Sequence, residues 1–215
     1  MPDMDIIKVM IVDDHIIFRK GLRTILNEID ELKVVAEASN GVELMDALKK
    51  IQTDVIFMDI RMPMMDGIEA TKKVTAKYPD VKIIALTMFE EVSYFNEMIE
   101  AGAAGFLLKK TTTKELKTAI DAVLRDDTYF SEEFIASASK YQRIKPKGPD
   151  VRLSDRELEV LELICKGNSN AEIAKLLGVS QRTVDGHRAH LFEKTGARNA
   201  PNLVLYAVKH GLIRT

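Results

Sequence analysis

Cysteine is almost missing from this chain: Cys165 is the only one in 215 residues. A disulfide framework and a cysteine-based zinc site are thereby excluded. A lone thiol beside ten methionines fits a reducing compartment. Long apolar runs are also lacking. Stretches such as Ala101 to Leu108 fall far short of the ~20 residues that span a bilayer. The first run, Ile6 to Val12, follows acidic and polar residues and stops at Asp13-Asp14, unlike a signal peptide. The expectation is a soluble cytoplasmic protein with no membrane partner. There are no internal repeats. With 46% apolar and 30% charged residues the composition is ordinarily globular, and the length suits two small domains or one large one.

Net charge is low, at −2, but unevenly spread. Residues 1–139 carry −8, residues 140–150 carry +3 and residues 151–215 carry +3 with three of the four histidines. Such a split suggests an acidic module joined to a mildly basic one. The acidic part alternates short apolar runs with amphipathic stretches. The runs are Ile6–Val12, Lys33–Ala38, Asp54–Met58, Val81–Thr87 and Ala104–Leu108, each nearly continuous in hydrophobicity. Strands buried on both faces of a parallel sheet read this way. Helix-like patterns lie near 16–28, 41–51, 67–78, 91–101 and 113–124. In the first, Phe18, Leu22, Ile25 and Leu26 share one helical face. Thr112 and Glu115 have the spacing of a capping box for the fifth. The pattern predicts a (βα)5 doubly wound α/β domain over 1–127.

Residues 128–150 are expected to link the two modules. Their second half, KYQRIKPKGPD, carries two prolines, one glycine and four basic residues with little apolar content. From 151 to 215 the pattern is all-helical. Ser154 with Glu157, and Ser169 with Glu172, have capping-box spacing. Gly178-Val179-Ser180 then turns the chain into a third helix, Gln181 to Thr195, and a fourth follows over 201–211. Two helices joined by a three-residue turn containing glycine make a helix-turn-helix.

Ligands of an open parallel sheet sit beyond the carboxyl ends of its strands. Those ends here carry Asp13 and Asp14, Asp59, Thr87 and Lys109. Clustered carboxylates repel, so a cation is expected among them. An all-oxygen site suits Mg²⁺, which takes one or two carboxylates plus phosphate. Lys109 adds a point charge and Thr87 a hydroxyl donor. Taken singly, each residue has a plainer reading: a turn aspartate, a solvated lysine, a structural threonine. Their joint placement at one sheet edge describes a phosphoryl site in which a carboxylate accepts the group.

The segments VMIVDDH, VIFMDIRMPMMDG, IIALT and GFLLKK resemble the receiver domain of two-component response regulators over roughly residues 6–125. The resemblance implies that Asp59 accepts a phosphoryl group from a sensor histidine kinase. It implies that Asp14, Asp59 and the backbone carbonyl of Arg61 bind Mg²⁺, with Asp13 acting through water. Lys109 would contact the phosphoryl group, and Thr87 and Phe106 would form the switch pair. Pro63 and Gly67 match the loop that shapes the site, while Arg61 and Phe89 match positions that tune dephosphorylation. The chain departs from many relatives at Ile16, where they have proline, and in its methionine-rich loop Met62–Met65. Aspartyl-nucleophile phosphatases also place an aspartate at a strand end. They need a second carboxylate two residues on, where this chain has Arg61. No enzyme activity is expected.

The segment from Leu153 to Asn199 is similar to the LuxR-type DNA-binding domain, and the whole chain to a NarL/FixJ-class regulator. Its third helix offers Gln181, Arg182, Thr183, Arg188 and Lys194, a set able to contact phosphates and base edges. The resemblance places Asp185, Gly186, His187 and Ala189 toward the groove as well. Asp185 could accept from a cytosine amino group, or pair with Arg182 or Arg188 on its own helix, which is the favoured reading. A charge of only +3 implies weak binding by one copy, hence a homodimer on double-stranded promoter DNA once phosphorylated. The expected function is a phosphorylation-dependent transcription regulator. The alternative is a constitutive DNA-binding protein whose receiver is a dimerisation scaffold.

Overall fold

The computed structural model describes residues 6–88, 94–131, 151–197 and 199–212. Six parallel strands form one sheet: β1 (Ile7–Val12), β2 (Leu32–Ala38), β3 (Val55–Asp59), β4 (Lys82–Thr87), β5 (Gly105–Leu108) and β6 (Tyr129–Phe130). Their order is β2-β1-β3-β4-β5-β6. Because the chain reverses direction across the sheet between β1 and β3, a crevice opens at their carboxyl ends. Asp13 and Asp59 stand at that crevice.

Alternation within each strand explains why helices cover both faces. Val9, Ile11, Val55, Phe57, Ile84, Leu86 and Leu107 point to one side and pack with α1 (Ile16–Asn27) and α5 (Thr113–Leu124). The interleaved Met10, Val12, Ile56, Met58, Ile83, Ala85, Phe106 and Leu108 point to the other. There they meet α2 (Gly41–Ala47), α3 (Gly67–Lys77) and α4 (Phe95–Ala101). With both faces covered, no polar alternation survives in the central strands, and the sequence shows continuous apolar runs. The helix starts are set by local chemistry. Asn40 accepts from the amides of Val42 and Glu43, Asp66 accepts from Glu69, and Thr112 closes a capping box with Glu115.

A sixth strand extends the sheet beyond the five read from sequence. Tyr129 and Phe130 pair with Gly105 and Phe106, so the sheet reaches into the stretch assigned to the linker. Two residues carry no periodicity, which is why this strand has no sequence signature. The rest of that linker, 132–150, and Phe89 lie outside the described residues.

Four further helices follow: α6 (Asp155–Cys165), α7 (Asn170–Leu177), α8 (Gln181–Thr195) and α9 (Ala200–Lys209). Ser154 and Ser169 both close the expected capping boxes. Gly178, at φ 65°, ends α7 in the left-handed conformation that glycine adopts without strain. Val160, Leu161, Ile164, Ile173, Val184, Leu191, Leu203, Val204 and Ala207 form the core of this small module. The apolar cluster is continuous with the α2–α4 side of the sheet, because α9 packs against α4.

One glycine ties the fold to the crevice. A Cβ at Gly67 would lie 2.0 Å from the Asp59 carbonyl oxygen, and the Gly67 amide donates to the Ile60 carbonyl at 2.8 Å. Gly67→Ala is therefore expected to lower unfolding free energy by about 3 kcal/mol in urea denaturation, as backbone must yield to the added methyl. Unchanged stability would contradict this packing.

Candidate functional site

At the crevice, β1 and β3 deliver two buried carboxylates that water does not solvate. Asp13 is fully buried and Asp59 is 1% exposed. From the end of β5, Lys109 brings its ammonium to 2.8 Å from Asp13 Oδ2 and 2.9 Å from Asp59 Oδ2. The ammonium also lies over the Phe18 ring, with Nζ 5.1 Å from the ring centroid. Burial disfavours charge on Lys109, but the Asp13 and Asp59 carboxylates outweigh that and raise its pKa above the usual lysine value. The ammonium therefore stays charged, as a screen between two acids that would otherwise repel.

The rest of the pocket is more open. Asp14 and His15 are exposed at the rim. His15 Nδ1 lies 2.8 Å from Asp14 Oδ1 and 3.2 Å from Asp13 Oδ1. The backbone amide of His15 also donates to Asp13 Oδ1, at 2.8 Å. Ligand atoms of Asp13, Asp14, His15 and Asp59 all lie within 4.8 Å of one another, close enough to share one cation. Three acids against one lysine leave the pocket anionic. Asp13 Oδ2, though buried, has the ion pair with Lys109 but no hydrogen bond of acceptable angle. A hard divalent ion fits such a donor set. Arg61 is exposed in the loop that leaves β3, two residues beyond Asp59. In the same loop Met64 adopts φ 68°, an unfavourable value for a non-glycine residue.

Thr87, buried at the end of β4, donates its hydroxyl to the Met88 carbonyl at 3.0 Å. Its own carbonyl accepts from the Lys109 amide at 2.9 Å, so the two residues share one ladder rung. Phe106 is enclosed. Its ring meets Phe95 of α4 edge-on, with centroids 4.8 Å apart, and stacks on Phe130 of β6 at 5.6 Å.

In the helical module, Gln181, Arg182, Thr183, Asp185, Gly186 and Ala189 are exposed along α8, and His187 and Arg188 are half-buried. Asp185 does not pair within its own helix: it accepts from Asn170 Nδ2 at 2.6 Å, and Arg188 donates to Asn170 Oδ1 at 2.8 Å. Asn170, on α7, thus holds both and was invisible to a reading confined to one helix. Lys194, expected to face DNA, is bound at 2.7 Å to Glu157 of α6. Glu157 also accepts from Ser154 N and Oγ. The lysine fastens the end of α8 to the start of α6.

The two modules touch. Ile99, Glu100 and Gly102 at the end of α4 share a crevice of about 610 Å³ with Thr195, Asn199, Leu205 and Tyr206. Asp127, beyond α5, has its pKa raised by burial against the opposing pull of Arg188 and Arg125. Among the described residues no helix is long and apolar enough to cross a membrane.

Residues 9–121 match the response regulator receiver domain family, and residues 151–207 match the bacterial regulatory proteins of the luxR family. The oxygen regulatory protein NreC of Staphylococcus carnosus is 38% identical over 215 residues, covering 96% of this chain and 99% of its own. NreC of Staphylococcus aureus is 37% identical with the same coverage. Among solved structures, the response regulator ChrA of a heme-sensing two-component system shares 33% identity at a TM-score of 0.55, over 97% of this chain and 100% of its own. A DNA complex of the response regulator RcsB shares 29% at a TM-score of 0.58, over 95% and 98%. The chain belongs to the two-component response regulators, with a receiver domain and a LuxR-type DNA-binding domain, and is a phosphorylation-dependent transcription regulator.

The Lys194–Glu157 pair carries a pH signature. Burial alone would raise the Glu157 pKa, but Lys194 and the Ser154 donors pull it down to about 2. Since the folded value is depressed, its stabilisation is present above the ordinary value of 4.5 and is lost as pH falls toward 2. Acid denaturation of Glu157→Gln is expected to show a flatter stability loss across that window than the parent. An identical acid limb would contradict the pairing.

Proposed function

We propose that Asp59 is the phosphoacceptor and that a sensor histidine kinase is the donor. The reading rests on the Lys109 ammonium seated between the Asp13 and Asp59 carboxylates at the ends of β1, β3 and β5. A carboxylate oxygen of Asp59 attacks the phosphorus of a phosphohistidine. The new P–O bond forms as the P–N bond breaks, and the departing imidazole takes a proton. Asp14, Asp59 and the Arg61 carbonyl would hold Mg²⁺, with Asp13 acting through water. The ion supplies positive charge to the phosphoryl oxygens when bound. Lys109 is already aimed at Asp59 and follows the added charge.

Thr87 and Phe106 form the switch in this reading. The Thr87 hydroxyl leaves the Met88 carbonyl for a phosphoryl oxygen, and Phe106 repacks against Phe95 and Phe130. Phe95 belongs to α4, the helix that touches α9. Phosphorylation therefore loosens the contact between the modules and lets two copies pair on promoter DNA. Gln181, Arg182, Thr183, Asp185, Gly186, His187, Arg188 and Ala189 line the DNA face, Arg182 and Arg188 supplying most of the charge. Lys194 is left out of this face by its bond to Glu157.

A second reading has an observation of its own: much of the α8 face is already exposed, which favours constitutive binding with the receiver as scaffold. Gel-shift assays with acetyl phosphate decide between them. The switched reading expects a mass gain of one phosphoryl group that requires Mg²⁺ and is absent in Asp59→Asn, together with tighter DNA binding in the parent only. Equal DNA affinity with and without the donor would favour the scaffold. In the same assay Arg182→Ala should weaken binding and flatten its salt dependence by about one phosphate contact, whereas Lys194→Met should leave that slope unchanged. A reduced slope for Lys194→Met would return that residue to the DNA face.

A further inference from the structure

Of the pocket's four polar side chains at the crevice mouth, one is a nitrogen donor. We propose that His15 ligates the divalent ion directly through Nδ1, and that it biases the pocket toward first-row transition dications such as Co²⁺, Ni²⁺ or Zn²⁺ over Mg²⁺. The inference rests on the reading of this pocket as a divalent-ion site.

The spacing carries the case. Six-coordinate ions with bonds near 2.1 Å hold neighbouring ligands about 3 Å apart and opposite ligands about 4 Å apart. His15 Nδ1 is 2.8 Å from Asp14 Oδ1, as adjacent ligands are. It is 4.0 Å from Asp59 Oδ2, as an opposite ligand is. Ligand atoms of Asp13, Asp14, His15 and Asp59 lie within 4.8 Å of one another, so the imidazole stands among the acids rather than beside them.

His15 Nδ1 is engaged only with the acids of the pocket, among the described residues, with a hydrogen bond to Asp13 Oδ1 at 3.2 Å. His15 is the N-cap residue of α1, yet its side chain makes no capping hydrogen bond. Its amide, by contrast, is fixed to Asp13 Oδ1, which orients the ring toward the acids. The side chain is 67% exposed, so an ion arriving from solvent can reach it. Imidazole is a poor ligand for Mg²⁺, which prefers oxygen and retains its waters, and a good one for the later first-row metals. Exchanging one water for an imidazole therefore gains more for Co²⁺ than for Mg²⁺.

The test uses the full chain and the variants His15→Ala and His15→Gln. Titration calorimetry with MgCl₂ and CoCl₂ gives the affinities. Proton NMR of the Co²⁺ form gives a ligand signature, since a coordinated imidazole shows its remaining N–H as a strongly shifted, exchangeable resonance. Both variants are expected to lose at least about ten-fold in Co²⁺ affinity. Mg²⁺ affinity should change by less than about two-fold. The shifted resonance should be present in the parent and missing from both variants. Three results would overturn the assignment. One is equal loss for the two ions, which marks an electrostatic or loop-holding role. Another is unchanged Co²⁺ affinity. The third is a shifted resonance that survives in His15→Ala, which traces it to His187, His190 or His210. If the parent binds neither ion, the Mg²⁺ reading of the pocket falls as well. If Mg²⁺ binds normally in all three proteins and the Co²⁺ signature is missing, only the role of His15 falls.

Discussion

Lys109 is the constraint on which the proposed phosphoryl site depends. Its ammonium bridges two carboxylates that the sheet buries at the ends of β1 and β3. Without a cation, Asp13 and Asp59 would repel each other in a medium that screens poorly. The lysine offsets that repulsion and, in the proposed reading, marks where added negative charge will be felt. Buried ion pairs of this kind contribute little net stability, because desolvation offsets their attraction. Their value here is positional. The β4–β5 ladder sets that position, through the bond from the Lys109 amide to the Thr87 carbonyl.

From the pocket, packing leads outward without a gap. Thr87 ends β4 beside Leu108, Phe106 precedes that residue by two on β5, and the rings of Phe95 and Phe130 enclose Phe106. Interiors packed this tightly shift between discrete arrangements rather than deform smoothly. Phe95 sits on α4, which touches α9, and Phe130 sits on β6, where the described part of the receiver ends. The route through Phe95 therefore reaches the helical module. Contiguity is the structural fact; that it carries a signal is the proposal.

Much of this was legible in the residues. Apolar runs placed five strands, the Ser154, Ser169 and Thr112 capping boxes placed three helix starts, and Gln181–Thr195 was read to the residue because Ser180 and Gly196 bound it. The aspartates and Lys109 were legible jointly, since strand ends in a parallel sheet lie along one edge. What escaped depended on contacts between segments far apart in sequence. Two residues of β6 have no period. Asn170, an unremarkable helix-start residue, holds Asp185 and Arg188 from another helix. Lys194 looks like any basic residue on a recognition helix until Glu157, 37 positions away, is seen to hold it. His15 belonged to the motif, but its ring direction is a fact of three dimensions.

The central claim is that charge arriving at Asp59 is read by Lys109 and Thr87 and passed through the Phe106 cluster to the helical module. Amide NMR of the full chain with Mg²⁺ and beryllofluoride, a phosphoryl mimic, tests it most directly. The account predicts shifts at Asp13, Asp59, Thr87 and Lys109 that continue through Phe106 and Phe130 to α9, and none of these in Asp59→Asn. Shifts confined to the pocket rim, with α9 unmoved, would contradict it.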